Sequence, residues 1–232
     1  MKSLMKEMKI GFKMVKYGIQ YKQQSVIAVI FAVLGIAFIV LGGPAQILLG
    51  MMYMTICGTY FTQPYISTSI SSCVASSPLV NGMFSRFIVV FNALAANTGY
   101  AIGVACIAVK YVLANVLNIP SLSTSYTLKQ VAAILIMSGL LSMGMQVYAI
   151  ICNKWFVISM IFFFVFFFSL YFYMSENISK AVGVDINIFL SGVIGLACIW
   201  VGTVLSYFVA KLTRRIPLDN WYYKRNIASA LK

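Results

Sequence analysis

The segment Ser76-Ser77-Pro78-Leu79-Val80-Asn81-Gly82-Met83-Phe84-Ser85-Arg86 lies between two hydrophobic stretches and joins residue types that suit docking rather than bond-making. Ser77 carries the hydroxyl of an N-cap, which accepts a backbone N–H, and Pro78 suits the first helical position, where no donor is needed. Leu79, Val80, Met83 and Phe84 then share one side of a two-turn helix that also carries Asn81. Arg86 stands where the chain returns to apolar sequence. A short capped helix with an apolar face at a membrane surface is a docking device. The same stretch also reads as an ordinary surface turn.

Two other groups of residues have informative spacing. Asn92, Asn97 and Thr98 interrupt a long apolar run that also carries Ala95, Gly99 and Gly103 at intervals of four. Polar groups in lipid must find partners, so these three either line a substrate path or hydrogen-bond between packed helices. The small residues form a seam that lets another helix approach closely. Near the start of the chain, Lys2, Lys6, Lys9, Lys13 and Lys16 alternate spacings of four and three, which gathers them on one helical face. Leu4, Met5, Met8, Phe12, Val15 and Ile19 fall on the other. That pattern predicts an amphipathic helix lying in the headgroup plane, its lysines toward anionic lipid.

Conventional catalytic constellations are missing. The acidic residues are Glu7, Glu176, Asp185 and Asp219, none inside an apolar run, and the chain has no histidine. No phosphate-binding Gly-rich loop, His-Glu-x-x-His or Gly-x-Ser-x-Gly motif is present, and no pair of intramembrane carboxylates that would carry a proton or sodium ion. Cys57, Cys73, Cys106, Cys152 and Cys198 are scattered without Cys-x-x-Cys spacing, so they read as small buried hydrophobes, not as metal ligands. A catalytic or metal site is therefore not expected, nor a cofactor bound by this chain.

The elements that must position these residues are apolar helices. The 232 residues are 62% hydrophobic and 9% charged, with a mean hydropathy of +0.94; soluble chains are about 25% charged. Runs of roughly 20 apolar residues cross a bilayer, and the sequence predicts six. They run from Val26 to Leu41, from Ala45 to Phe61 with an end near Pro64, from Phe87 to Val109 or beyond, from Val131 to Cys152, from Phe156 to Met174 and from Ile188 to Ala210. Gly42-Gly43-Pro44 predicts a tight turn. The fifth run, dense in Phe and free of a polar stripe, is expected to face lipid. Residues 1–24 then form the interfacial helix, 25–211 the membrane domain and 212–232 a basic tail. About 24 residues precede the first run, too many for the basic start of a secretory signal.

The net charge of +13 gathers at the chain ends, which fits an anionic membrane surface rather than a nucleic-acid groove. With both ends in the cytoplasm, fourteen of the 17 basic residues lie inside and Lys110, Lys129 and Lys180 lie outside. This bias supports that topology and puts the Ser77–Arg86 segment on the cytoplasmic side.

The order of parts resembles the ABC-2 type permeases of ATP-binding-cassette transporters, in their small six-span form without a fused ATPase. The likeness covers essentially the whole chain and rests on architecture together with the Ser76-Ser77-Pro78-Leu79 stretch. It implies that Ser77 to Arg86 form a coupling helix seated in an ATPase subunit, that the N-terminal helix is the family's elbow helix, and that Glu176 to Asp185 correspond to its outer re-entrant helices. Relatives often place basic residues in the coupling helix, and this one carries little charge. The resemblance further implies two permease subunits, identical or related, above an ATPase dimer that binds ATP and Mg. It implies export of amphipathic cargo such as peptides from a bacterial cell, with no catalysis in this chain. The competing readings are an ATP-independent carrier or channel, a lipid-modifying membrane enzyme, and a non-transporting immunity or assembly protein.

Overall fold

The computed structural model describes residues 21–69, 86–116, 128–152 and 187–213, with isolated positions among 9–16 and 155–173. The continuous stretches form five helices: α1 (Tyr21–Leu41), α2 (Pro44–Ser69), α3 (Ile88–Val116), α4 (Leu128–Ile151) and α5 (Ile188–Leu212). Among the described residues, four helical stretches are long and apolar enough to cross a membrane: Tyr21–Leu41, Ile88–Leu113, Gln130–Ile151 and Ile188–Leu212. The apolar part of α2, Pro44–Gly58, is shorter. The coupling segment up to Ser85, residues 117–127 and 175–186, and the tail from 214 lie outside the described residues.

Local chemistry explains three of the boundaries. Pro44 opens α2 at the position where its missing N–H costs nothing. Just before it, Gln46 Oε1 accepts the Gly43 N–H at 2.7 Å, the returning half of a capping box. Asn187 caps α5 by accepting the Phe189 N–H at 3.0 Å, and at the far end the Thr213 hydroxyl donates to Val209 O at 2.8 Å.

Two helices outrun their apolar cores. α1 is already helical at Tyr21, ahead of the predicted Val26, since Lys22, Gln23 and Gln24 are good helix formers with no breaker among them. α2 continues through Pro64 to Ser69, where an end had been expected. Proline removes one backbone donor but keeps a helical φ.

Small residues set the packing. α1 and α2 form an antiparallel hairpin; a methyl on Gly50 would lie 2.7 Å from Gly35 O, so the two backbones touch. Phe31 stacks on Tyr60 and meets the edge of Tyr53 beside this contact. α2 and α3 are also antiparallel, and the predicted seam mediates them. Ala95 meets Gly58, Gly99 lies under Met54 O and Gly103 under the Met51 sulfur.

α4 and α5 instead run parallel: Gly139 faces Gly195, Met143 faces Gly202, and Gln146 faces Ile199 and Thr203. Apolar side chains point outward, as Val29 and Val33 do on α1 and Phe189, Val193 and Trp200 on α5. Ser138, Ser142, Gln146, Ser191 and Ser206 are buried. This is the pattern of a membrane-embedded helix bundle. In the predicted fifth span, Ile158, Ile161, Val165, Phe168 and Phe172 are exposed, and Phe163 packs on Tyr148 with ring centroids 5.0 Å apart.

Candidate functional site

Several buried polar groups converge on the junction of α2, α3, α4 and α5. Thr55 of α2 donates to its own Met51 O at 3.0 Å and pairs with the Ser142 hydroxyl of α4 at 3.1 Å. One turn beyond Ser142, Gln146 reaches α5: its Nε2 donates to Ile199 O at 3.0 Å, and its Oε1 accepts from the Thr203 hydroxyl at 2.9 Å. The Thr203 hydroxyl also lies 3.0 Å from Ile199 O. The Tyr100 hydroxyl of α3 lies 3.3 Å from Leu135 O and 3.4 Å from Gly192 O, placing it between α4 and α5.

Asn92 of α3 differs from these groups. It is 4% exposed, and neither its Oδ1 nor its Nδ2 has a hydrogen-bond partner among the described residues. It lines a cavity of about 10 Å³ together with Thr55, Gly58, Ala95, Ala96, Met145 and Gln146. The lining groups are hydroxyls, amides, a thioether and small apolar side chains, so the site has hydrogen-bonding capacity without acid–base chemistry. Among the described residues, no cluster of His, Cys, Asp or Glu could hold a metal ion.

The residues singled out from the sequence are dispersed. Asn97 Nδ2 donates to Ala93 O at 2.7 Å, and the Thr98 hydroxyl donates to Leu94 O, so both are satisfied by their own helix rather than by a neighbour. Gly99 is buried beneath α2, away from the Asn92 cavity. Arg86 is exposed at the entry to α3, and Lys9, Lys13 and Lys16 are helical and exposed. Ser77, Pro78, Leu79, Val80, Asn81, Met83 and Phe84, with Lys2, Lys6 and Phe12, lie outside the described residues.

Three participants escaped the sequence reading. Gln146 and Thr55 are lone polar side chains within apolar stretches, the same signal that drew attention to Asn92. Lys110, counted there only as a topological charge, is 3% exposed. Its amine donates to Gly42 O at 2.6 Å and lies 3.4 Å from Ile39 O, clasping the end of α1. No protein family, curated protein or solved structure matches this chain when it is compared with each.

Proposed function

We propose that the chain is the transmembrane subunit of an ABC-2 type transporter, moving an amphipathic or hydrophobic cargo, such as a peptide, with ATP hydrolysed by a separate subunit. The observation that carries this reading is the parallel packing of α4 on α5. A helix of 24 residues, the length of α4, is about 36 Å long at 1.5 Å per residue. Two such helices side by side and parallel require their connection, residues 152–186, to return along the bundle. The Phe-rich run from Phe156 to Met174 is long enough to do so. With α2 as a crossing, the total is six, and α1 begins on the side where α5 ends.

Charge supports a cytoplasmic assignment for that side. Lys22 begins α1, Arg86 precedes α3 and Lys211 ends α5, all three exposed at the same end of the bundle. Lys110 is buried at the other. The positive-inside rule makes the basic end cytoplasmic, and Ser77 to Arg86 lead into α3 there, within reach of a soluble ATPase dimer carrying ATP and Mg. The backbone contacts at Gly35–Gly50 and Gly139–Gly195 leave no room for cargo between those helix pairs. That favours a path between two permease subunits over a channel through one. ATP-driven closure of the ATPase does work on cargo only if the permease binds cargo differently in its two states.

The test is co-expression with the neighbouring genes, followed by purification and ATPase assay of wild type, Leu79→Asp and Met83→Asp. An ATPase should co-purify, and each substitution should release it or uncouple its activity from added amphipathic peptide. A chain that purifies alone and shows no nucleotide-dependent behaviour overturns the proposal and moves an ATP-independent carrier, or an immunity or assembly protein, to the front.

A further inference from the structure

We infer that the cavity between α2, α3 and α4 is an internal hydration site that binds one water molecule on the amide of Asn92. Asn92 presents one acceptor and one two-proton donor, both shielded from solvent and neither paired among the described residues. Its polar neighbours are already engaged: Thr55 with Met51 and Ser142, Gln146 with Ile199 and Thr203. A buried amide without partners is costly in an apolar medium, and a bridging water relieves that cost.

Size and chemistry both select water. The cavity measures about 10 Å³, close to the least space that holds one water, and a water needs two to four polar partners. Asn92 supplies two. Thr55 and Gln146 line the same cavity and are the other polar residues beside it. A cation fits poorly, because the lining carries no negative charge. An apolar ligand would leave Asn92 unpaired. Water donates and accepts at once, so a single molecule satisfies both ends of the amide. A contact made through water can re-form after small shifts of the helices, and it gives α3 an adjustable seat on α4. The site stands on this geometry and is independent of the transport proposal.

Hydroxyl-radical footprinting by X-ray pulses, on the full chain in lipid nanodiscs, tests the site. Radicals form from water in place, so a buried methionine is oxidised quickly only when an internal water touches it. Met145 lines the cavity and is 2% exposed; Met51 at 2% and Met54 at 4% are equally hidden but do not line it. Met145 should be oxidised several-fold faster than Met51 and Met54 in the wild type, and Asn92→Leu should bring its rate down to theirs. Equal rates for the three methionines in the wild type overturn the inference without need of any variant. So does a Met145 excess that persists in Asn92→Leu, or one that grows when sodium and potassium are replaced by a bulky organic cation, the mark of a bound metal ion in the water's place.

Discussion

Lys110 and Asn92 lie on the same helix, about five turns apart, and both are almost wholly buried in apolar surroundings. Lys110 finds protein partners in Ile39 O and Gly42 O, whereas Asn92 finds none. What each side chain faces accounts for the difference. Lys110 points at the last turn of α1, where carbonyls have no intrahelical donor and are open to an outside one. Asn92 faces the middles of α2 and α4, where the carbonyls already accept their own helices' N–H groups. Only side chains or water can answer it there. In a bundle of apolar helices, a polar residue at the level of a neighbour's end acts as a clasp, and one at a neighbour's middle makes a pocket.

If that contrast is right, removing the clasp has the largest effect. Lys110→Met leaves the carbonyls at the end of α1 without their buried donor. It should cost about 2–3 kcal/mol, the range for hydrogen bonds made by charged donors together with the unpaired acceptors left behind. Thermal unfolding in detergent measures it. A loss below about 1 kcal/mol, the level of a weak neutral hydrogen bond, would mean that the clasp does not hold the α1–α2 turn.

Gln146→Leu comes next. Its amide is the direct link between α4 and α5, and cross-helix side-chain bonds in membranes average about 0.6 kcal/mol, with a maximum near 1.7. Two such bonds meet at Gln146, so the loss should be about 1–2 kcal/mol on that scale. Because the close contacts at Gly139–Gly195 and Gly202–Met143 persist, the variant should stay folded. Unfolding to a molten species would show that the polar link, rather than glycine packing, defines the pair.

Asn92→Leu should do the reverse of Lys110→Met. Replacing a buried amide by a branched apolar side chain of similar shape removes the need for a partner and fills part of the cavity. The change should lie within about 1 kcal/mol of wild type, or be stabilising. A loss as large as that of Lys110→Met would erase the distinction between clasp and pocket.

Some of this organisation can be read from the residues alone, and the limits have a physical cause. The run Ala95, Gly99, Gly103 announces a close helix contact, and α2 supplies it through Gly58, Met54 and Met51. Gly42-Gly43-Pro44 announces a tight turn, and the chain passes there from α1 to α2. But an interval of four says that a face is approached, not by which helix or in which direction. The parallel pairing of α4 with α5 is therefore absent from the spacing of Gly139 and Gly195. These helices are also apolar nearly all round, so the amphipathic stripe that marks the inward face of a soluble helix is missing. That is why Asn92, Asn97 and Thr98 looked equivalent in the sequence, whereas one is buried without a partner and the others are bonded within α3. Pro64 marks another limit: a proline's tendency to end a helix is a statistical one, and α2 runs through it to Ser69.

Thr98 therefore gives the smallest predicted effect and the cleanest control on the contrast. Its hydroxyl is exposed and donates to Leu94 O, a carbonyl one turn back on its own helix, so no neighbouring helix depends on it. Thr98→Val keeps the branched shape and removes only that local bond. The change should stay within about 0.5 kcal/mol, as for surface substitutions away from special features. If Thr98→Val lowers the unfolding temperature as much as Gln146→Leu does, Thr98 meets something beyond its own helix. The exposed side of α3 would then be an interface with another chain rather than with lipid. In that case burial within one chain would no longer separate the polar groups that hold this bundle together from those that merely satisfy themselves.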